Sequence, residues 1–427
     1  MAFATPAFVP IWHGIDVSGS CWSGANARDA VGTMLKDNTT FQGLSARWAT
    51  QTPAIIPEPF AHAKSSASKA KPTRARRVLC ITPLGYDGRG GIDRLYRYVR
   101  ELPPERDDLD IRYMVSRGAT PGNRWPLVFP WHLARIVGAL LVWRPDLLHI
   151  NYANGGSLVR KVIIVAVARL LGIPMLMHLH CVFPVEGARR KTLAGRAALF
   201  LARSAAHVVA IGHKAERDFI DVAGLHPARV HVIPNGAPDL GSAVSIPKRH
   251  ETVDILFAGE LGPRKGPTFL IEALARLKAD DGWRCTIAGN GDVAGCRRLI
   301  EELGLASRIQ VAGWLPAAQI HDLMRAADVV VLPSAREVMP MCLVEATAAG
   351  AALLATPVGE TKDVIVSGEN GFLIERDPEI IATRLRQLIS DRDLLARMQI
   401  ASRESYVRKF RLDLFVDCLS HLYTQIT

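Results

Sequence analysis

The sequence lacks paired cysteines, a leader-like beginning and long unbroken apolar runs. Its seven cysteines are odd in number and none forms a CxxC pair, which excludes a disulfide framework or structural zinc and indicates a reducing compartment. The first residues carry neither the basic segment nor the apolar stretch of a secretory signal. Apolar runs near 127–142 and 162–177 are short for a bilayer span and are interrupted by Arg135 and Arg169, so no transmembrane helix is predicted. The expected location is therefore cytoplasmic.

The sequence also lacks a well-placed metal motif. Two segments, Asp108 to Asp110 and Asp391 to Asp393, match the DxD pattern that holds a metal–diphosphate in some transferases. Neither follows a strand beside a glycine-rich loop, and both have the composition of solvated polar segments. We therefore predict no metal ligands and a metal-independent protein.

Positive charge is abundant and unevenly distributed. Residues 74–240 hold 24 Lys and Arg against 13 Asp and Glu, whereas residues 241–427 hold 22 against 24. A basic half fits anionic partners such as phosphates or acidic lipid headgroups, although an arginine-rich soluble surface explains it equally well. The basic residues are scattered and accompany no recognition motif, so no nucleic-acid partner is predicted.

Short apolar runs alternate with helical patterns from residue 77 onward. Such alternation, with strands buried on both faces, predicts an α/β fold with parallel sheets. Six runs on each side of a polar hinge near 239–251 indicate two doubly wound Rossmann-like domains facing across a cleft. The predicted segments are an extension at 1–73, a first domain at 74–240, a second at 241–405 and a C-terminal helix at 406–427 that packs back across the hinge. The predicted strands are 77–82, 110–115, 146–151, 174–180, 207–211, 229–234, 253–259, 284–289, 308–313, 328–332, 351–356 and 371–374.

Three glycine-bearing loops follow predicted strands. Residues 85–91 and 259–266 each precede a helix, and Gly289 follows the next strand of the second domain. Glycines allow a ligand to approach the backbone, and helix N-termini favour phosphates. Arg264 and Lys265 add positive charge to the second of these loops, which therefore predicts a diphosphate site.

Two carboxylates flank the start of a predicted helix in the second domain. Glu337 and Glu345 follow the apolar run 328–332, which places Glu337 in a strand-to-helix loop and Glu345 one or two turns into the helix. Ligands of open α/β sheets bind at the carboxyl ends of the strands. The pair therefore suits the hydroxyls of a sugar or a ribose.

The order of these motifs resembles the retaining glycosyltransferases of family four, which have the GT-B fold. The resemblance covers about residues 77–410 and rests on the first glycine loop, a Gly-Ile-Pro strand ending in His180, Ile233-Pro234-Asn235-Gly236, the Lys265-Gly266 loop and the paired glutamates. It implies transfer of a hexose from a UDP- or GDP-linked sugar, used as co-substrate and without another cofactor, to a hydroxyl of a glycan or a polyprenyl- or other lipid-linked acceptor. The implied role is polysaccharide or glycolipid synthesis.

The resemblance also implies roles for individual residues. The implied catalytic residues are His180 beside the reacting carbon, Glu337 on the transferred sugar and Lys265 on the diphosphate. Glu345 would accept hydrogen bonds from the ribose hydroxyls. The implied donor-binding set is Arg264, Glu345, Gly289, Met341 and Cys342, together with Gly90 and Gly91 from the acceptor side of the cleft.

Three positions depart from the family pattern. Glu260 stands where arginine is common, Val338 replaces a glycine, and Gly212 replaces a serine. Glu260 matters most, because it removes a cationic diphosphate contact and keeps open the alternative of a catalytically weak nucleotide-sugar-binding subunit. A nucleotide-sugar epimerase of similar shape is a further alternative.

The basic first domain invites a membrane hypothesis. Residues 127–142, with Trp125, Trp131, Arg135 and Trp143, have the composition of an interfacial amphipathic segment, although an ordinary core helix explains them as well. On the first of these interpretations, we expect peripheral contact with the inner face of a membrane.

Overall fold

A computed structural model of the 427-residue chain describes residues 74–86, 88, 90–102, 107–117, 125–153, 156–241 and 251–426. The extension predicted at residues 1–73 lies outside the described residues.

The described strands form two six-stranded parallel sheets. The first has the order β2-β1-β3-β4-β5-β6 and the second the order β12-β11-β10-β7-β8-β9. In each sheet the strand order reverses at one point, between β1 and β3 in the first and between β10 and β7 in the second. Such a reversal is typical of doubly wound domains, whose ligands bind at the carboxyl ends of the strands. The strands are β1 Arg76–Thr82, β2 Leu109–Val115, β3 Leu147–Tyr152, β4 Met175–Leu179, β5 His207–Ala210, β6 Val230–Val232, β7 Val253–Ala258, β8 Trp283–Ala288, β9 Ile309–Gly313, β10 Val329–Leu332, β11 Ala352–Ala355 and β12 Gly371–Leu373.

Helices connect successive strands and cover the sheets. Three α-helices run directly into short π-helical turns, at Ala139–Trp143, Asp218–Val222 and Tyr406–Phe410. The α-helices are α1 Gly91–Glu101, α2 Trp125–Gly138, α3 Gly156–Leu170, α4 Val185–Arg189, α5 Leu193–Ser204, α6 His213–Arg217, α7 Pro267–Ala275, α8 Val293–Glu302, α9 Ala317–Ala326, α10 Met341–Ala349, α11 Thr361–Val364, α12 Pro378–Ser390, α13 Arg392–Ser405 and α14 Leu412–Gln425.

The predicted α/β fold is confirmed, and each of the twelve predicted apolar runs overlaps a strand. The strands could be found because buried parallel strands are continuous apolar segments; all four residues of β10, for example, are buried. The C-terminal helix predicted at 406–427 is interrupted at Arg411, where the backbone is extended and pairs with Ala237. The four segment boundaries stay predictions.

Helix α14 belongs spatially to the first domain although it ends the chain. It shares one apolar core with residues of β1, α1 and the strands beside them, including Val78, Leu95 and Tyr98. This core covers the face of the first sheet opposite α2, α3 and α5, whose apolar residues form a separate core. The C-terminal helix therefore ties the two domains together. Its buried residues are Leu412, Phe415, Leu419, Ser420, Leu422 and Tyr423.

Candidate functional site

A cleft of about 920 Å³ separates the carboxyl ends of the two sheets. Its walls combine the glycine loop after β1 and the end of β4 with the loops after β7, β8 and β10. The topology therefore brings motifs from across the chain to one place. Nine of the ten predicted site residues line this cleft, namely Gly90, Gly91, His180, Arg264, Lys265, Gly289, Glu337, Met341 and Cys342.

Lys265 and Glu337 face each other on the wall formed by the second domain. The Lys265 Nζ atom lies 2.7 Å from a carboxylate oxygen of Glu337, and their side chains are 12% and 9% exposed. Arg264, which is more exposed, approaches the same oxygen at 3.3 Å. A cation pair and a carboxylate thus share one small region, where each group holds the other in place.

The backbone around these residues requires glycine at two positions. Gly266 caps helix α7 in the left-handed conformation, with φ at 70°. A side chain at Gly289 cannot fit, because its Cβ would lie 1.6 Å from the carbonyl oxygen of Gly259. Gly289 therefore allows the loops after β7 and β8 to touch, which shapes the floor of the cleft.

Helix α10 begins at the cleft, as the sequence predicted. Pro340 occupies the cap position, and Met341 and Cys342 form the first turn, where helical amides have no intrahelical acceptor. The positive end of the helix dipole therefore points at the region beside Lys265 and Glu337. Burial raises the pKa of the Cys342 thiol to about 11, so this cysteine stays protonated and unreactive near neutral pH.

Glu345 is placed differently from the other predicted residues. Its side chain is fully buried, at 0% exposure, and does not line the cleft. Arg94 from the first domain donates to its two carboxylate oxygens at 3.2 and 3.1 Å, and the Tyr98 hydroxyl donates at 2.7 Å. Glu345 in turn raises the pKa of Arg94. In this arrangement Glu345 joins the two domains, and its contact with a ribose stays a prediction.

Glu260 is an outward-facing partner of Arg264. The Arg264 guanidinium donates to Glu260 at 3.0 Å, and both side chains are about half exposed. Arg264 therefore bridges two carboxylates, Glu260 and Glu337, and its charge is partly neutralised on both sides. The structure thus gives the unusual Glu260 a definite partner.

His180 is held by a side chain that sequence reasoning did not identify. The Asn151 amide nitrogen donates to the Ile81 carbonyl at 3.1 Å, which leaves its oxygen to accept from His180 Nε2 at 2.8 Å. His180 therefore carries its proton on Nε2, and Nδ1 is an acceptor. Burial lowers the pKa of His180 to about 3, so the ring is neutral near pH 7.

The partly buried ring of His180 contacts a group of buried rings. Its ring centroid lies 4.0 Å from that of His178, which matches the prediction that the two side chains share one side of the strand. His178 lies against His149, whose Nδ1 atom is 2.6 Å from the hydroxyl of Tyr423 on α14. The C-terminal helix is therefore connected to the cleft through a chain of rings.

A carboxylate of the chain itself binds backbone amides at the first glycine loop. The Asp93 carboxylate accepts from the amides of Leu84 and Gly85 at 3.0 and 2.9 Å, so these two amides are not available to a phosphate. Gly90 and Gly91 remain on the cleft surface, and a Cβ on Gly91 would lie 3.8 Å from the Met341 side chain. Their small size therefore permits close approach of the two walls.

A second contact joins the domains away from the cleft centre. Glu360 accepts from the amides of Lys214 and Ala215, and Asp363 accepts from the amide of His213, at distances of 2.9 to 3.1 Å. These carboxylates cap the N-terminus of α6 from the opposite domain. A Cβ on Gly212 would lie 2.5 Å from the Glu360 carboxylate. A serine at this position would therefore collide with Glu360, which explains why this chain has glycine there.

Four other cleft or interdomain residues escaped sequence reasoning: Arg94, Arg117, Arg160 and Trp314. Arg94 lies three residues after Gly91, so its position in the first turn after the glycine loop could have indicated that it lies near the cleft. Arg117 and Trp314 follow strand ends and Arg160 lies in α3, each without a motif of its own. Among the described residues, no three His, Cys, Asp or Glu side chains group closely enough to hold a metal ion.

Two doubly wound domains that meet at a cleft define the GT-B class of proteins. Residues 68–236 match the model of the glycosyl transferase 4-like domain, and residues 243–405 match that of glycosyl transferases group 1. The chain belongs to the glycosyl transferases group 1 family. Among solved structures it is similar to Anabaena HepE in complex with UDP, with a TM-score of 0.64 and 21% identity over 82% of this chain and all of that one.

Curated relatives have one recurring name. The chain is 29% identical over 256 residues to D-inositol 3-phosphate glycosyltransferase 1 of Catenulispora acidiphila, covering 53% of this chain and 60% of that relative. It is 25% identical over 432 residues to the D-inositol 3-phosphate glycosyltransferase of Acidothermus cellulolyticus, covering 86% of this chain and 94% of that relative. It is also 31% identical to the D-inositol 3-phosphate glycosyltransferase of Geodermatophilus obscurus over 49% of this chain. The matches to the Catenulispora and Geodermatophilus relatives span only 60% and 50% of the length of those relatives.

Proposed function

We propose that the protein is a retaining glycosyltransferase that moves a hexose from a nucleotide-diphosphate sugar to a hydroxyl of a glycan or lipid-linked acceptor. The observation that carries the proposal is the Lys265–Glu337 pair, 2.7 Å apart beside the N-terminus of α10. A cation and a helix N-terminus suit a diphosphate, and a carboxylate suits sugar hydroxyls. The neighbour in complex with UDP and the relatives named glycosyltransferases support this assignment.

The donor would replace contacts that the site residues now make with one another. Its diphosphate would take over Lys265 and Arg264, and the sugar hydroxyls would donate to the carboxylate of Glu337. Trp314, which is half exposed and lines the cleft directly after β9, offers a flat apolar surface for a nucleobase. The cations would thus pass from Glu337 to the diphosphate, and the Glu337 carboxylate would exchange its ion pairs for hydrogen bonds from the sugar hydroxyls.

Departure of the nucleotide diphosphate is the step that the site assists. Lys265, Arg264 and the first-turn amides of α10 would stabilise the charge that develops on the leaving phosphate oxygen as the anomeric C–O bond breaks. The acceptor hydroxyl would attack from the same face, and its proton would pass to that oxygen. The neutral His180 ring would contact the sugar without adding a competing positive charge. This route needs no metal ion and no carboxylate nucleophile.

The test begins with the donor. Isothermal titration of UDP- and GDP-sugars with the full chain is followed by mass analysis of products formed with a glycan panel, and by NMR of the product anomer. We expect binding, transfer and retained anomeric configuration. Lys265→Gln and Glu337→Gln should each abolish transfer, whereas Lys278→Gln, an exposed lysine of the same domain, should not.

The same experiment separates the alternatives. Binding without turnover would favour the catalytically weak subunit suggested by Glu260, and an altered sugar formed without acceptor would favour an epimerase. Near-normal transfer by either Lys265→Gln or Glu337→Gln would contradict the proposed site.

We further propose that the first domain contacts an anionic membrane from the cytoplasmic side. The segment Pro126–Trp143, expected from its sequence to be short for a bilayer span, is long and apolar enough to cross one by length and composition, and only 17% of it is buried. Its inner face, with Ile136 and Leu140, packs on the first sheet, so only its outer face is offered to solvent. That geometry favours a helix lying on a bilayer rather than crossing it.

The outer face continues onto the neighbouring helix α3. We name this the α2–α3 surface; no acidic residue occurs in either helix. Leu127 and Val142 are 80% and 87% exposed, and Trp131 supplies an aromatic ring of the kind enriched at membrane interfaces. The surface consists of Leu127, Trp131, Leu141, Val142, Val159, Ile163 and Leu170.

Vesicle sedimentation tests the membrane proposal. We expect the chain to sediment with vesicles containing phosphatidylglycerol at low salt and less so with phosphatidylcholine alone. The double change Leu127→Glu and Trp131→Glu should abolish sedimentation, whereas Ile400→Glu, at a partly exposed apolar position of the second domain, should not. Absence of wild-type binding to anionic vesicles would refute the proposal.

A further inference from the structure

A second cavity, of about 610 Å³, lies at the amino edge of the first sheet. Arg76 and Arg77, which begin β1, line it together with Arg144 and Asp146, which precede β3. The cleft lies at the opposite ends of these strands, where Pro83 follows β1, and the seven residues of β1 span roughly 20 Å. The cavity is therefore separate from both walls of the cleft. The apolar part of its lining includes Leu140, Leu141, Leu171 and Ile173.

The described lining of this cavity carries three arginines and one carboxylate. That carboxylate, Asp146, is engaged on both oxygens, because it accepts from Arg74 at 2.6 Å and from the amide of Arg77 at 2.9 Å. Arg74 lies outside the lining and offsets the charge of Asp146. The three arginines of the lining therefore give the cavity a net positive charge.

Two of these arginines have donors without acceptors. The Arg77 Nε atom is buried and has no hydrogen-bond acceptor among the described residues, although its guanidinium lies 5.9 Å from the centre of the Trp143 ring. The exposed Arg144 side chain makes no hydrogen bond or ion pair with the part of the chain that the structure describes. Arg76, by contrast, donates to the Thr424 carbonyl on α14 at 3.1 Å. A buried donor without an acceptor is unfavourable, and an anionic oxygen in the cavity would satisfy it.

The cavity adjoins the α2–α3 surface. Leu141 belongs to that surface and also lines the cavity, and it is half exposed. Leu171, a further lining residue, directly follows Leu170 of the surface. The phosphate groups of a bilayer lie just outside the hydrocarbon, in a layer of roughly 5–8 Å on each side. A cationic cavity at the end of an apolar surface that lies on a bilayer therefore meets lipid phosphates.

We propose that this cavity binds the phosphate group of an anionic phospholipid, whose acyl chains extend along the α2–α3 surface. Arg77 and Arg144 would donate charge-assisted hydrogen bonds to the phosphate oxygens, since a guanidinium matches phosphate geometry. Arg76 lines the same cavity and adds positive charge. The inference deepens the proposed membrane contact and rests on it for access to lipid.

A headgroup site differs from the general attraction between a basic protein and an acidic membrane. General attraction depends on the amount of charge near the membrane, and it weakens as salt screens that charge. A cavity saturates with bound lipid and depends on the particular arginines that line it. A dissolved lipid and charge-matched variants therefore separate the two kinds of binding.

Calorimetric titration of a short-chain lipid into the full chain tests the cavity without a membrane. The probe is dihexanoyl phosphatidylglycerol, kept below its critical micelle concentration. We expect saturable binding by wild type, and a loss of affinity of at least tenfold in Arg77→Gln/Arg144→Gln. Arg144→Gln alone, which changes an exposed side chain and leaves the buried Arg77 in place, should lose about threefold.

The matched control removes the same charge from the same helices. Arg135→Gln/Arg169→Gln changes exposed arginines of α2 and α3 that do not line the cavity, and its affinity should equal that of wild type. Wild type that does not bind the short-chain lipid, or a control that loses as much affinity as the cavity variants, would overturn the proposal. Equal wild-type affinity for sn-glycerol 3-phosphate would assign the cavity to a soluble phosphate and would also overturn it.

Vesicle sedimentation distinguishes failure of the cavity from failure of the membrane contact. Leu127→Glu/Trp131→Glu, expected not to sediment with vesicles, should still bind the dissolved lipid because neither position lines the cavity. Wild type that sediments with phosphatidylglycerol vesicles but does not bind the dissolved lipid would refute the headgroup site and leave the membrane contact intact. Binding of the dissolved lipid without sedimentation would support the site and count against the membrane contact.

Discussion

Replacement of Arg94 by methionine tests what the buried Glu345 does. Arg94 supplies two of the three hydrogen bonds to the Glu345 carboxylate, and Tyr98 supplies the third. Methionine keeps the length of the apolar stem but removes the charge. The carboxylate is then left buried and charged, with the Tyr98 hydroxyl as its remaining donor among the described contacts.

The size of the effect follows from burial. Breaking a buried ion pair by removing one partner costs about 3–5 kcal/mol. Because the Arg94 side chain is 30% exposed, water screens the pair, and we expect the lower end of this range, about 3 kcal/mol. At about 2–4 °C per kcal/mol, the melting temperature should fall by about 6–12 °C.

Two further variants make the measurement specific. In the double variant Arg94→Met/Glu345→Met the stranded charge is gone, so most of the lost stability should return. Arg408→Met removes an arginine from an exposed pair with Glu404, 4.0 Å apart, and should lower stability by less than about 1 kcal/mol.

Calorimetric melting of these variants decides the question. A single variant as stable as wild type, or a double variant as unstable as the single, would refute the buried-charge reasoning. Titration with UDP gives a second reading of the same protein. Tighter binding by Arg94→Met would indicate that Arg94 and the ribose compete for Glu345, as the predicted ribose contact requires.

Three other changes have defined outcomes. Burial lowers the pKa of His149 to about 3, so between pH 6.5 and 3 this ring binds a proton in the unfolded chain but not in the folded one. Stability should therefore fall by up to about 1.4 kcal/mol per pH unit as the pH is lowered through that window. In His149→Asn, the melting temperature measured across the same window should depend less steeply on pH. Asn151→Ala should lower the rate of transfer by about 10- to 100-fold through misplacement of His180 while UDP affinity, measured by titration, is unchanged. Glu260→Gln should tighten UDP binding about two- to fivefold by freeing Arg264, and weaker binding would contradict the view that Glu260 competes with the diphosphate.

Much of the architecture could be predicted from the sequence because its signals are local. Parallel strands buried on both faces are continuous apolar runs, and glycines and polar residues at their ends mark the loops. The carboxyl ends of such strands meet at one edge, so Lys265 and Glu337 could be expected together although 72 residues separate them. His180 at the end of β4 could be placed at the same cleft by the same reasoning.

The pairing of side chains between domains could not be predicted in this way. Arg94 and Glu345 are 251 positions apart, and nothing in either helix pattern indicates that they meet. The glycines of the first loop were interpreted as permitting close approach of a ligand, yet Asp93 accepts from the amides of Leu84 and Gly85 at the beginning of this loop. The proximity of Arg117 and Arg160 also depends on how β2 and α3 pack, since no motif joins them.

By itself, the sequence determined the strand-helix alternation, the two sheets and the edge at which most site residues gather, because periodicity and strand ends are properties of local chain segments. Only the tertiary structure decided which charges compensate one another. It placed Glu337 with Lys265 in the cleft and Glu345 with Arg94 between the domains, although both glutamates belong to one motif. The physical reason is that burial and the nearest opposite charge depend on the packing of distant elements, which spacing along the chain does not specify.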